Sequence, residues 1–114
     1  MLVRKNQQGL QQRENMRGGE GTVDIHHILS GDDLPAHSRL AARVVLRPGC
    51  SIGEHEHGGE AELFYILSGM GVALDGDRER EVGAGDMLVT ANGTHAIKNT
   101  GSDDLEMLAV IITE

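Results

Sequence analysis

From Thr22 onward the chain alternates short apolar-rich runs with turn-forming residues. The runs are Thr22–Leu29, Leu40–Arg47, Glu62–Leu67, Gly71–Leu74, Met87–Thr90, His95–Asn99 and Leu105–Ile112. Between them lie Ser30-Gly31-Asp32-Asp33, Pro48-Gly49, Ser68-Gly69, Asp75-Gly76-Asp77, Gly83-Ala84-Gly85-Asp86, Asn92-Gly93 and Gly101-Ser102-Asp103-Asp104. Short runs rich in branched residues, punctuated by Asn-Gly and Asp-Gly, are the signature of hairpins. A helical stripe of period 3.6 is visible only weakly, over Gln8–Met16. Strands at this spacing predict an all-β sandwich or barrel. Residues 1–21 are the least organised; they read as an N-terminal arm with a short strand at Leu2–Lys5, and residues 22–114 read as one domain.

Two runs are apolar on both faces. Along Glu62–Leu67, Glu62, Phe64 and Ile66 point one way and Leu63, Tyr65 and Leu67 the other. Along Leu105–Ile112, Leu105, Met107, Ala109 and Ile111 share one face; Leu108, Val110 and Ile112 share the opposite one. One barrel interior takes only one face of each strand. The second faces therefore predict a homodimer, with the arm adding a strand across the interface, unless these faces pack on each other or on the arm.

Composition narrows the function classes. The 114 residues, 12.2 kDa, suffice for one core. Ten Lys and Arg against 18 Asp and Glu give a net charge of −8, which repels a phosphate backbone. Aromatics are only 2%, too few to stack single-stranded bases, so nucleic acid is excluded as a partner. No apolar run approaches the roughly 18 residues of a membrane helix, and the polar, Gln-rich start is unlike a signal peptide. A lone cysteine, Cys50, forms no internal disulfide, so a cytoplasmic setting is the default expectation.

Candidate chemistry comes from the histidines at 26, 27, 37, 55, 57 and 95. His55-Glu56-His57 places two imidazoles at i and i+2, on one face of a strand and about 7 Å apart. Gly58-Gly59 permits a sharp turn that returns Glu62 alongside them, and His95 opens a later strand after an Asn-Gly turn. Three imidazoles and one carboxylate suit a divalent transition metal ion (Mn, Fe, Ni, Co or Zn) rather than Mg or Ca. Glu60 is an alternative to Glu62 as the carboxylate ligand. Glu56 alternates away, and His26, His27 and His37 read as packed or surface residues.

The segment Gly49–Gly69 has Gly, five residues, His-x-His, four residues, Glu, six residues and Gly. It resembles the first motif of the cupin superfamily at each of these positions. Gly85–Asn99 resembles the second motif, with two departures: Ala91 stands where Pro is expected, and only Thr94 separates Gly93 from His95. The resemblance spans residues 40–113. It implies a double-stranded β-helix, a cupin barrel or small jelly roll, with His55, His57, Glu62 and His95 as metal ligands inside one end.

Relatives of that kind include dioxygenases, decarboxylases and isomerases, and others of no known activity. The expected function is therefore a metal-binding cupin holding a small polar or anionic ligand, such as a carboxylate. The alternative is a non-catalytic binding or sensing module with a structural metal. Arg43, Phe64 and Ile66 are candidate pocket residues, Arg43 for a ligand carboxylate and the other two as an apolar floor.

Overall fold

A computed structural model describes all 114 residues. The strands are β1 (Gly9–Glu14), β2 (Thr22–Leu29), β3 (Ser38–Leu46), β4 (Ser51–Glu56), β5 (Glu60–Ser68), β6 (Met70–Asp75), β7 (Arg78–Gly83), β8 (Met87–Ala91), β9 (Thr94–Asn99) and β10 (Leu105–Thr113). They form two antiparallel sheets, one of six strands in the order β1-β2-β3-β10-β5-β8 and one of four in the order β4-β9-β6-β7. The last strand lies between β3 and β5, and β9 lies between β4 and β6, so early and late strands interleave. This is the double-stranded β-helix expected from the sequence. No helix is long and apolar enough to cross a membrane.

Period-two alternation explains the core. On β10, Leu105, Met107, Ala109 and Ile111 are buried between the sheets, beside Leu46 and Val44 of β3 and Phe64 and Ile66 of β5 on the same sheet face. Each large apolar side chain removed from water contributes about 1.5–3 kcal/mol. The second faces of β5 and β10 meet on the outer side of the same sheet, because Leu108 pairs with Tyr65 and Val110 with Leu63. Met87 and Val89 of β8 continue that surface, opposite Tyr65 and Leu63. Nothing within the chain covers it: Tyr65, Leu67, Met87, Val89 and Ile112 are all exposed.

Four details differ from the pattern reading, each for a physical reason. β4 carries too many polar residues to stand out as a run; its partner β9 makes it a strand. β7, Arg-Glu-Arg-Glu-Val-Gly, is charged on both faces because it is an exposed sheet edge, where charge discourages further pairing. In the arm the strand is Gly9–Glu14, not Leu2–Lys5, and it pairs in register with β2 of its own chain rather than crossing to a partner. That pairing overrides the weak helical stripe. Finally, β4 carries a bulge between Ile52 and His55, whose partners Ile97 and His95 are only two residues apart. The extra residue reverses the facing, so His55 points inward with Ile52 despite odd spacing.

After β1 the chain makes a tight 3-10 turn, Met16–Gly18, flanked by left-handed Asn15 and containing left-handed Arg17. The turn lays Met16 against the core cluster. It then runs backbone to backbone along β4: the Ser51 amide donates to the Glu20 carbonyl (2.8 Å) and the Glu20 amide to Ser51 Oγ (2.8 Å). Gly53 is required there, since a Cβ would meet the Arg17 carbonyl oxygen and lie 2.8 Å from the Gly19 nitrogen. Gly53→Ala is therefore expected to lift the arm from β4 and cost about 1–3 kcal/mol. Chemical denaturation measures the cost, and faster proteolysis within residues 1–21 reports the release. An unchanged midpoint and protease pattern would contradict the close packing.

Candidate metal centre

The interior between the sheets is not apolar throughout. At one end it buries His57, Glu62 and His95, with His55 beside them; their side chains are 4%, 7%, 1% and 9% exposed. Three different devices bring them there. The β4 bulge turns His55 inward opposite His95. Alternation on β5 puts Glu62 on the core face with Phe64 and Ile66. The Asn92-Gly93 turn, with Asn92 left-handed at φ 52°, sets His95 at the start of β9. Asn92 thus does the work expected of the missing proline, and His95 reaches the site despite the shorter turn.

The donor atoms converge. His55, His57 and His95 present Nε2 atoms 3.0–3.1 Å from one another. Glu62 Oε1 lies 2.9 Å from His57 Nε2, 3.0 Å from His95 Nε2 and 4.0 Å from His55 Nε2. Each ring's other nitrogen is engaged outward: His55 Nδ1 donates to the Gly53 carbonyl (2.8 Å) and His57 Nδ1 to Glu60 Oε1 (2.7 Å), while His95 Nδ1 meets Thr90 Oγ1 (2.9 Å). A carbonyl and a carboxylate only accept, so His55 and His57 carry their hydrogen on Nδ1 and aim bare lone pairs inward. Burial lowers the pKa of His55, opposed by the Gly53 carbonyl, and favours the neutral, coordinating form.

His95 presents the same lone pair when its Nδ1 donates to Thr90 Oγ1, and four donors that converge in a buried space fit a metal ion. Metal–ligand bonds of about 2.1 Å let one ion reach donors that lie up to about 4.2 Å apart. Five pairs here are near 3.0 Å and the sixth, His55 with Glu62, is 4.0 Å. All four atoms are thus close enough to serve one ion, with His55 and Glu62 the most widely separated pair.

The four predicted donors come together, and the pocket residues divide. Phe64 stacks on the His95 ring at 4.9 Å and 13° and lines a cavity of about 40 Å³ beside His55 and Glu62. Ile66 is buried one step further into the core and does not reach that cavity. Arg43 is a correction: it lies between inward Ala42 and Val44, so it points to the outer face and pairs with Glu106 at 3.0 Å. Met16 and Leu40 line the cavity instead. Leu40 follows from strand alternation, whereas nothing in the arm's pattern marks Met16. A larger depression of about 450 Å³ lies on the outer side of the smaller sheet, lined by Val72, Leu74 and Ala96, away from the histidines.

Comparison with known proteins agrees with this architecture. The family profile described as a cupin domain matches residues 42–111. The chain belongs to the cupin family. An oxalate-binding protein of Thermotoga maritima is 46% identical over 113 residues, 98% of this cupin and 93% of its relative. A crystal structure of a predicted oxalate decarboxylase from Thermotoga maritima superposes with a TM-score of 0.95 at 45% identity, covering 100% of both chains. The structure of KdgF from Halomonas sp. matches at a TM-score of 0.79 and 14% identity, covering 100% of this cupin and 94% of that chain, a likeness of fold alone.

Glu60, weighed as an alternative ligand, lies on the Nδ1 side of His57, away from the converging atoms. A bidentate pair with Arg39 and the hydrogen bond from His57 hold its carboxyl down to a pKa of about 2. A depressed carboxyl stabilises the fold fully above the unfolded value, and the contribution is lost as pH falls toward the folded value. The stability difference between the parent cupin and Glu60→Gln should therefore be constant from pH 7 to about 4.5 and shrink between about 4.5 and 2. Denaturant titrations at several pH values check this; a difference that grew on acidification would contradict the pairing.

Proposed function

We propose that this cupin binds one divalent transition-metal ion through His55, His57, Glu62 and His95 and uses it to hold a small dicarboxylate such as oxalate. The donor set carries the reading. Three imidazoles and one carboxylate would leave an ion of higher coordination number with room for the oxygens of a chelating acid. The donor chemistry suits Mn(II), Fe(II), Co(II), Ni(II) or Zn(II). The cavity beside His55 and Glu62, about 40 Å³, has room for about three waters, and so for a small acid rather than a sugar. The name of the Thermotoga maritima relative, an oxalate-binding protein, supports the same ligand class.

Binding is favoured over turnover. Splitting the carbon–carbon bond of oxalate leaves a carbon that must gain a proton to become formate. The titratable residues lining the cavity are His55 and Glu62, both assigned to the metal, and the rest of the lining is apolar or aromatic. An isomerase would need a free base at the same place. Elemental analysis should find one metal per chain, and calorimetry should show oxalate binding to metal-loaded but not chelator-stripped protein. His55→Ala with His57→Ala should abolish both. A full metal complement in that double variant would move the site elsewhere, and formate released from oxalate would replace binding by catalysis.

The proposal includes assembly as a homodimer through the outer face of the larger sheet. Tyr65, Leu67, Met87, Val89 and Ile112 are exposed there, continuous with Leu63, Leu108 and Val110. The chain carries −8 overall, yet on this face Arg43 is paired with Glu106 and Arg47 with Asp24. A second copy thus meets an apolar, locally neutral surface, without the repulsion its net charge would otherwise impose. Two-fold pairing lets one such surface cover its own copy. Sedimentation at low micromolar concentration should give twice the 12.2 kDa chain mass, and Tyr65→Glu should halve it. A parent protein sedimenting as a monomer would refute the dimer and leave the metal site standing.

A further inference from the structure

We propose that Glu60, clamped by Arg39, is the positioning residue of the metal centre: it fixes His57 in its Nδ1–H tautomer and sets how tightly the ion is held. The inference rests on the metal-site reading above but not on the identity of the bound acid.

The three histidines are not equally constrained. His55 lies within β4 and His95 within β9, and their cross-strand pairing fixes where each ring stands. His57 follows the last residue of β4 and enters the Gly58-Gly59 turn, where Gly59 is left-handed at φ 73°. Its amide donates to the Gly93 carbonyl (2.9 Å), and two residues on the Gly59 amide donates to Asn92 Oδ1 (2.8 Å). Strand register does not orient this ring, so a side chain must.

Glu60 meets that need. Its Oε1 accepts from His57 Nδ1 at 2.7 Å and from Arg39 Nη2 at 2.6 Å, and its Oε2 accepts from Arg39 Nε at 2.6 Å. Arg39 belongs to β3 and Glu60 to β5, so the pair reaches across the end of β10, which lies between those strands. The planar guanidinium engages both carboxylate oxygens and leaves the carboxylate little freedom to rotate. The partners also differ in charge. His55 has a backbone carbonyl and His95 a hydroxyl, whereas His57 alone has an anion. A carboxylate on the outer nitrogen strengthens the inner one as a donor, and loss of such a partner typically weakens metal binding 10–100-fold.

The test uses cobalt(II) affinity, measured by competition with a chromophoric chelator, together with nitrogen-15 NMR of the imidazole rings in metal-free protein. The parent should show His57 as the Nδ1–H tautomer. Glu60→Ala should raise the cobalt dissociation constant about 10–100-fold and give His57 mixed tautomers, with the His55 and His95 signals unmoved. Glu60→Gln keeps an acceptor without its charge and should produce a smaller rise. Arg39→Met should fall between parent and Glu60→Ala, and Arg39→Lys should restore part of the loss. If Glu60→Ala does not fold, Glu60→Gln and the Arg39 variants carry the comparison.

Cobalt affinity within about twofold of the parent across the Glu60 variants, with the His57 tautomer unchanged, would overturn the proposal. So would an affinity loss in which the His55 and His95 signals move as much as those of His57, since that marks a general structural defect. Oxalate is not needed for either readout, so failure here is distinguishable from failure of the carboxylate reading.

Discussion

Four polar donor atoms held within 4.0 Å of one another inside a protein are an unfavourable arrangement that the rest of this fold must enforce. Three imidazole nitrogens and a carboxylate oxygen, all in side chains less than a tenth exposed, gain nothing from water and repel one another. Left to local preference they would separate. They stay because each is fixed from behind, by the Gly53 carbonyl, Glu60, Thr90 or the packed core face of β5. A cation among them would turn the repulsion into attraction, so the protein's structure and its metal affinity are two aspects of one balance.

The interleaved sheets supply the rigidity. β10 sits between β3 and β5 and buries Leu105, Met107 and Ala109 completely, which fixes β5 and with it Glu62. Asn99 anchors the other end of β9, donating to the Leu46 and Asp103 carbonyls and accepting from the Gly101 amide. The second-motif asparagine thus organises a buried turn, at the end of β9 opposite to the one His95 opens. Phe64 joins the two regions: it stacks on His95 and belongs to the core cluster. Apolar packing at one end of the barrel therefore holds polar convergence at the other.

The arm is part of this arrangement. It pairs with β2, crosses to β4 along a glycine-lined contact and delivers Met16 to the wall of the cavity beside His55 and Glu62. That wall makes the space beside the donors small and apolar. Beyond His55 and Glu62, the residues around that space offer no polar side chain.

The sequence by itself determined the β class, most strand positions and the three converging histidines. These follow from local rules: period-two alternation, Asn-Gly and Asp-Gly turns, and the spacing of His55-x-His57 and His95. It did not determine which of two carboxylates ligates and which positions, because Glu60 and Glu62 share a face and alternation records only that parity. The inward turn of His55 beside Ile52 depends on a bulge that only pairing with β9 reveals. Arg43 could be weighed as a pocket residue until the burial of its neighbours Ala42 and Val44 fixed it outward. The spacing of the four donors, the Arg39–Glu60 clamp and the Met16 wall all join residues far apart in the chain. Local sequence sets which way a side chain can face; the distances that define a coordination site exist only once the strands have paired.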